Sequence, residues 1–472
     1  MARLWTVRVV PALFGATAML TASAPPAAPT PARGAVTFSE TVAPILYANC
    51  VTCHRPGQAA PFSLITYEDA KKKGKLIAKV TESRYMPPWH AAHGYGDFAD
   101  ERRLSDQQIA TIGDWFKQGM AQGDPAKMPK MPQFPEGWHL GTPDLVLQMP
   151  AGYELPASGP DIYRNFVIPT HLTEDKWVRA VEFRPSARKA VHHVLFAYDS
   201  TGAAAKRDGR DGRPGFGGMG TTGIVGGGGG PLGGWAVGAT PVFMPDGVAL
   251  PLPKGSDLVL QMHFHLTGKV ETEQATVGIF FTDKVPDRKL WSVQVPALFG
   301  FGAGIDIPAG EKHYVIADSL TLPVDVKAYS VGAHAHYIAK EMKATAFLPD
   351  GTTQPLLWIK DWDFNWQDRY LYKTPVVLPK GTRIDVRLVY DNSADNPHNP
   401  SPEMPKRVQW GEQSFDEMGA VALAVQALQK EDEPVLQRAM AARVQTAIGR
   451  ASANGTLKRF LEGQGRGGGG LH

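Results

Sequence analysis

The sequence predicts a multidomain chain, in which one small all-α domain is followed by two all-β sandwiches. Three observations carry this expectation. The chain has 472 residues, more than one core ordinarily fills, and three domains of ~100–150 residues is the natural partition. Residues 36–124 carry helical signals: Ser105 and Gln108 form a capping-box pattern ahead of Ile109, Ile112 and Phe116, which recur at helical spacing. From about residue 142 onward, short β-rich runs such as "WVRAVEF", "VHHVLFAYD", "DLVLQMHFHL" and "RIDVRLVYD" alternate with Pro/Gly turns.

Residues 1–34 read as a signal peptide and spacer. Arg3 and Arg8 precede the mostly apolar "VVPALFGATAML", the small residues Ala22-Ser23-Ala24 follow, and then comes the Pro/Ala-rich "APPAAPTPARG". Pro25 is a poor residue directly after a cleavage site, so two readings stay open: cleavage elsewhere, or an uncleaved anchor. Beyond that segment no apolar run is long enough to span a bilayer. The net charge of +3 is small for this length and no long basic tract occurs, so nothing argues for a nucleic-acid partner.

The α domain contains "NCVTCH", which holds both cysteines of the chain. Cys-x-x-Cys-His is the pattern of covalent haem attachment: Cys50 and Cys53 would form thioethers to the porphyrin and His54 would ligate the iron. On this reading 36–124 is a c-type cytochrome domain with one covalent haem c. Export agrees with it, because bacteria attach haem covalently outside the cytoplasm, and a periplasmic or otherwise exported location is expected. No cysteine remains for a disulfide, so the sandwiches must be stable by packing alone.

Residues 125–141 form a proline-rich linker. The sandwiches are expected over 142–287 and 288–430, and 431–472 reads as a C-terminal helix with a Gly-rich tail. Within the first sandwich, "GRPGFGGMGTTGIVGGGGGPLGG" is read as a flexible surface excursion. Its GxGxxG-like matches lack a strand–helix context and are rejected as a nucleotide loop.

Histidine falls in three clusters within the β-rich half: His192-His193, His263 with His265, and His334 with His336. Alternate residues of a strand share a face. In "LVLQMHFH" the apolar Leu258, Leu260, Met262 and Phe264 oppose Val259, Gln261, His263 and His265. In "YSVGAHAHY" the same alternation puts His334 and His336 together. Neighbouring His192 and His193 diverge on an ideal strand, so both reach one metal only if the strand bulges there. A lone histidine on a sheet is usually a hydrogen-bonded surface residue, but three clusters inside predicted strands favour a metal site. Imidazole suits Cu, Zn, Fe and Ni alike, so spacing does not choose the metal.

From about 142 to 428 the chain resembles the type II copper, ascorbate-dependent monooxygenases, the family of peptidylglycine α-hydroxylating monooxygenase. The matching pieces, in the family's order, are "HHVLFAYD", "GWAVGATPVFMPDG", "LVLQMHFH", "GAHAHYIAK" and "SFDEMGAVAL". The resemblance implies two jelly-roll-like sandwiches, each holding one copper, facing across a water-filled cleft. It implies that His192, His193 and His263 hold an electron-storing copper, and that His334, His336 and Met418 hold an oxygen-binding copper. A thioether is soft and favours Cu(I), which fits that mixed set. A methionine is otherwise most often a core gap-filler, and His265 has no counterpart among the family's ligands.

The N-terminal domain resembles cytochrome domains that precede such sandwiches and carry "CxxCH" and later "MPPW". In "SRYMPPWHAAHG" this makes Met86 the sixth iron ligand, with His90 and His93 as competitors. The peptide enzyme holds its substrate's carboxylate with side chains whose positions here are Gly332, Ala420 and Ala422. None of these offers a charge or a donor, so the resemblance implies a smaller or more apolar substrate than a glycine-extended peptide.

The expected function is hydroxylation of a C–H bond by O2, catalysed by a copper-dependent monooxygenase. The haem would relay electrons from an exported donor protein or an ascorbate-like reductant. The alternatives are a non-catalytic copper- or ligand-binding module with a haem electron-transfer or sensor domain, and an electron carrier serving a partner reductase.

Overall fold

The structure is a computed structural model that describes residues 34–466, apart from 59, 100, 135–136 and 219–227; the side chains of 463–466 are also left out. The expected signal and the end of the Gly-rich tail lie outside the described residues. The architecture is mostly β, with two β-sandwiches and five α-helices among the described residues. No helix among these residues is long and apolar enough to cross a membrane.

Three helices, α1 (Ala43–Asn49), α2 (Tyr67–Glu82) and α3 (Asp106–Lys117), enclose a small core of their own. Thr66 caps α2, and Ser105 with Gln108 form the reciprocal capping box at α3 that the sequence predicts. Such a cap stabilises a helix by about 1 kcal/mol. The inward face of α3 carries Ile112 and Trp115, and Trp115 packs on Phe38 with ring centroids 5.9 Å apart. Phe116, expected inward, is only half-buried because the larger indole takes the central place.

The first sandwich contains strands β1 (Leu145–Gln148), β2 (Tyr153–Leu155), β3 (Ile162–Pro169), β4 (Lys176–Arg184), β5 (Val191–Asp199), β6 (Phe216–Gly217), β7 (Gly229–Ala236), β8 (Leu250–Leu252), β9 (Asp257–Phe264), β10 (Glu271–Glu273) and β11 (Thr276–Phe281). Its sheets run β1-β11-β4-β8 and β6-β3-β9-β5-β7. Leu258, Leu260, Met262 and Phe264 of β9 meet Val178, Val277 and Ile279 of the opposite sheet in one core.

The second sandwich contains β12 (Trp291–Val295), β13 (Asp306–Ile307), β14 (Tyr314–Thr321), β15 (Val326–Ala335), β16 (Ala339–Phe347), β17 (Thr353–Ile359), β18 (Arg369–Leu378), β19 (Arg383–Tyr390), β20 (Val408–Gln409) and β21 (Gly419–Ala427). Its sheets run β12-β21-β15-β18 and β14-β19-β16-β17. In both sandwiches the chain crosses between sheets at most connections, in the jelly-roll manner. Helices α4 (Glu433–Ala453) and α5 (Thr456–Arg466) follow.

The glycine-rich stretch departs from the expected surface excursion at both ends. Phe216 is buried with Val167, Ala204 and Val259, and Gly229–Ala236 is a strand paired with β5. Glycine is required there by close approach: a Cβ on Gly230 would meet the Tyr198 ring at 2.8 Å, and one on Gly234 the Val194 carbonyl at 3.0 Å. The middle of the stretch, 219–227, lies outside the described residues.

The segment after Met86 forms a strap onto the second sandwich. Ala91 bridges Ile359 and Phe98 bridges Tyr372, and both apolar side chains belong to that sandwich's core. Arg102 then pairs with Asp368 and donates to the Gly238 carbonyl of the first sandwich at 2.8 Å.

Candidate metal centres and their shared cavity

The first histidine cluster is built by β5 and β9, adjacent central strands. Val191 is the register partner of Phe264 and His193 that of His263, so His192 is the extra residue of a bulge. This is the distortion needed to turn two consecutive imidazoles to one side. The Nδ1 atoms of His192, His193 and His263 converge: His192 lies 3.1 Å from each of the others, and His193 and His263 are 3.4 Å apart.

At most one of these three contacts at a time could be a hydrogen bond between neutral rings, so lone pairs would otherwise face each other. A point equidistant from the three nitrogens lies ~1.9 Å from each, close to the ~2.0 Å of a metal–imidazole bond. Among the described residues, this is the one cluster of three or more His, Cys, Asp or Glu side chains that could hold a metal.

Asp161, which the sequence reading missed, fixes this geometry. Its Oδ2 lies 2.7 Å from His263 Nε2 and its Oδ1 lies 3.0 Å from His265 Nδ1. With Nε2–H donated to the carboxylate, Nδ1 of His263 is the free lone pair. His265 is therefore an exposed residue that touches the site only through Asp161. Burial pushes Asp161 up, but its contacts with His263 and His265 outweigh this and hold it below its ordinary value. Burial lowers His192 to about 4 and His193 well below its ordinary value, so both present neutral imidazoles at neutral pH.

The second cluster lies on the β15–β21 pair. His334 is the partner of Ala420 and Ala335 that of Gly419, which brings Met418 beside His336. Buried Glu417 joins the two arms: its Oε1 accepts from the His336 N–H at 2.5 Å and the Met418 N–H at 2.9 Å, and its Oε2 from the Ile338 N–H at 3.2 Å. Burial raises this carboxyl to about 8.

The His334 and His336 rings are 5.3 Å apart. His334 Nδ1 lies 2.7 Å from Gln367 Oε1 and His336 Nδ1 lies 3.2 Å from the Asp416 carbonyl, leaving both Nε2 atoms for a metal. Burial lowers His336 to about 3.

Phe364, in the loop between β17 and β18, stands between the clusters. Its ring centroid is 5.9 Å from that of His192 and 5.8 Å from that of His336. Tyr163 stacks on His263 at 4.1 Å and reaches Ser414 of the second sandwich at 2.9 Å. Phe364 is itself a lining residue of an open cavity that touches both clusters.

One cavity of about 1480 Å³ takes in His193, His334, His336 and Met418, and also Cys50, Cys53, His54 and Met86. His54 Nδ1 lies 3.1 Å from the Phe62 carbonyl, which leaves Nε2 for a ligand. Of the residues offered as its partner, Met86 lines the cavity. His90 contacts the Asp361 carbonyl at 3.0 Å, and His93 is 82% exposed beside Glu101. On the far wall Phe299 stands 5.1 Å from His334, in a loop held by the bond from Trp410 Nε1 to the Phe299 carbonyl at 3.0 Å.

Gly332, Ala420 and Ala422 present no donor, as the sequence states. Asp161, Phe364, Gln367 and Glu417 carry no motif of their own; only the acid just before Met418 could have been suspected.

No protein-family model and no curated protein matches this chain. Among solved structures, the chain is similar to the infectious bursal disease virus VP2 subviral particle at 11% identity and TM-score 0.17, covering 61% of this chain and 72% of that one. It is also similar to PNGF-II at 10% identity and TM-score 0.23, covering 60% of this chain and 65% of that one. These likenesses are too slight to bear on function.

Proposed function

We propose that this chain is an exported haem c/dicopper monooxygenase. It would insert one atom of O2 into a substrate C–H bond and reduce the other to water with two electrons and two protons. His192, His193 and His263 would hold one copper, His334, His336 and Met418 the other, and Cys50, Cys53, His54 and Met86 the haem. Bound there, the metals supply one-electron storage and oxygen activation, and the haem supplies relay.

The observation that carries the reading is the pairing of two unlike donor sets across one aromatic ring, in a cavity that also reaches the Cys-x-x-Cys-His motif. A module that merely sequesters copper needs no such pairing. Asp161 fixes the tautomer of one imidazole, Glu417 joins both arms of the His-His-Met set, and Phe364 stands between the two sets on the wall of the cavity they share. The apolar wall of Phe299 and Trp410 suits an apolar C–H group.

Metal analysis of the purified holoprotein, followed by oxygen uptake with candidate substrates, tests this. Two coppers and one haem per chain, with uptake matched by hydroxylated product, are expected. Zinc, or copper well below two, would favour the binding-module alternative, and copper reduction without oxygen use would favour an electron carrier.

A further inference from the structure

Arg369 opens β18, where it is the register partner of Gly332. Tyr370 and Tyr372 are buried in the core of the second sandwich, so alternation sends Arg369 and Leu371 to the opposite face, where both line the cavity. The Arg369 side chain is exposed into that cavity, and the protein packed around the cavity wall lowers its guanidinium below the ordinary value by desolvation. Gly332 leaves the space beside it clear: a Cβ there would meet nothing closer than the Asp368 carbonyl at 3.7 Å.

Among the described residues, the Arg369 side chain has no hydrogen bond, ion pair or ring contact partner. The carboxylates that share the cavity do not serve it. Asp368 is paired with Arg102 and Glu101 with Arg103. Glu412 is pushed up by burial and then by Asp416, with no arginine offsetting them. An exposed guanidinium that lines a cavity and has no protein partner is free to take a ligand, and its planar fork of donors matches a carboxylate.

We propose that Arg369 is the anion-recognition residue of the cavity and takes a carboxylate. The carboxylate comes either from a free ligand beside the His334–His336–Met418 site or from a propionate of the haem. The first source needs neither haem nor copper to be bound; the second rests on the haem reading above.

Calorimetric titration of the full-length protein with phenylacetate and its neutral isostere phenylacetamide tests this. A free-ligand site predicts that phenylacetate binds saturably and at least tenfold tighter than the amide. Arg369→Gln should erase that preference and Arg369→Lys should restore part of it. A propionate site predicts that phenylacetate binds only after Cys50→Ser/Cys53→Ser removes the covalent haem. In that case Arg369→Gln lowers the haem midpoint potential, because a positive charge near the iron is lost.

Equal binding of acid and amide in both backgrounds, with an unchanged potential in Arg369→Gln, would overturn the assignment. If Arg369→Gln fails to fold, the acid–amide comparison in the unaltered protein and in the haem-free Cys50→Ser/Cys53→Ser protein still decides between the outcomes. An unaltered protein found to carry no haem that still prefers the acid would sink the haem reading and keep the anion site.

Discussion

Replacing Asp161 with Asn isolates the tautomer control of the first histidine cluster. The carboxylate lies 2.7 Å from His263 Nε2, and that contact leaves Nδ1 to join the other two nitrogens at 3.1 and 3.4 Å. Partners of this kind are worth ~10–100-fold in metal affinity, or about 1.4–2.7 kcal/mol. Asn keeps the shape and accepts only a neutral bond, roughly half as strong as the charge-assisted one, so its loss should fall near tenfold and that of Asp161→Ala nearer a hundredfold. The assay is anaerobic Cu(I) titration against a chromogenic chelator, in a His334→Ala/His336→Ala background that silences the second cluster. His265→Ala, altered at a residue 70% exposed, serves as the control and should bind within about twofold of the parent. Unchanged affinity in Asp161→Ala, or in His263→Ala, would refute the geometry as a metal site.

Three further outcomes are expected. In the metal-free protein, His192 stays neutral down to about 4 while the unfolded chain takes up its proton near 6.5, so stability should fall as pH drops through that window. Melting temperature against pH checks this, and a flat profile between those values would contradict it. Phe98→Ala should cost about 3–5 kcal/mol in urea unfolding, because that ring, though near the N-terminus in sequence, is 5% exposed in the core of the second sandwich; a loss below ~1 kcal/mol would mean that the strap does not pack as described. Cys50→Ser with Cys53→Ser should abolish turnover driven by a protein donor and spare turnover driven by ascorbate, and equal loss with both would argue against a relay role.

Much of the candidate site was legible because strand alternation is a strict code. The partition of "LVLQMHFH" into core and histidine faces follows from period two, and the bulge at His192 follows from two adjacent imidazoles needing one direction. The rest depends on register and on loops far away in the chain. Phe364 reaches His263 from the other sandwich, and Arg369 meets Gly332 only through a strand pairing that no local pattern encodes. Glycine misled the reading of 212–234: composition suggested a loose loop, whereas Gly230 and Gly234 are places where a strand passes too close to its neighbour for a side chain. On α3, periodicity pointed inward through Phe116, but Trp115 fills that space.

The strap from Met86 to Arg103 means that the modules cannot be excised at the borders their composition suggests. A cut near residue 125 would leave the second sandwich without Ala91 and Phe98, opening a hole in its hydrophobic interior and stripping two edge bridges from its strands. The fragment that begins after the helices is thus a damaged protein rather than a smaller one. Any swap of the N-terminal part onto a foreign scaffold would have to carry its docking strands' counterpart, the Ile359 and Tyr372 edges, along with it.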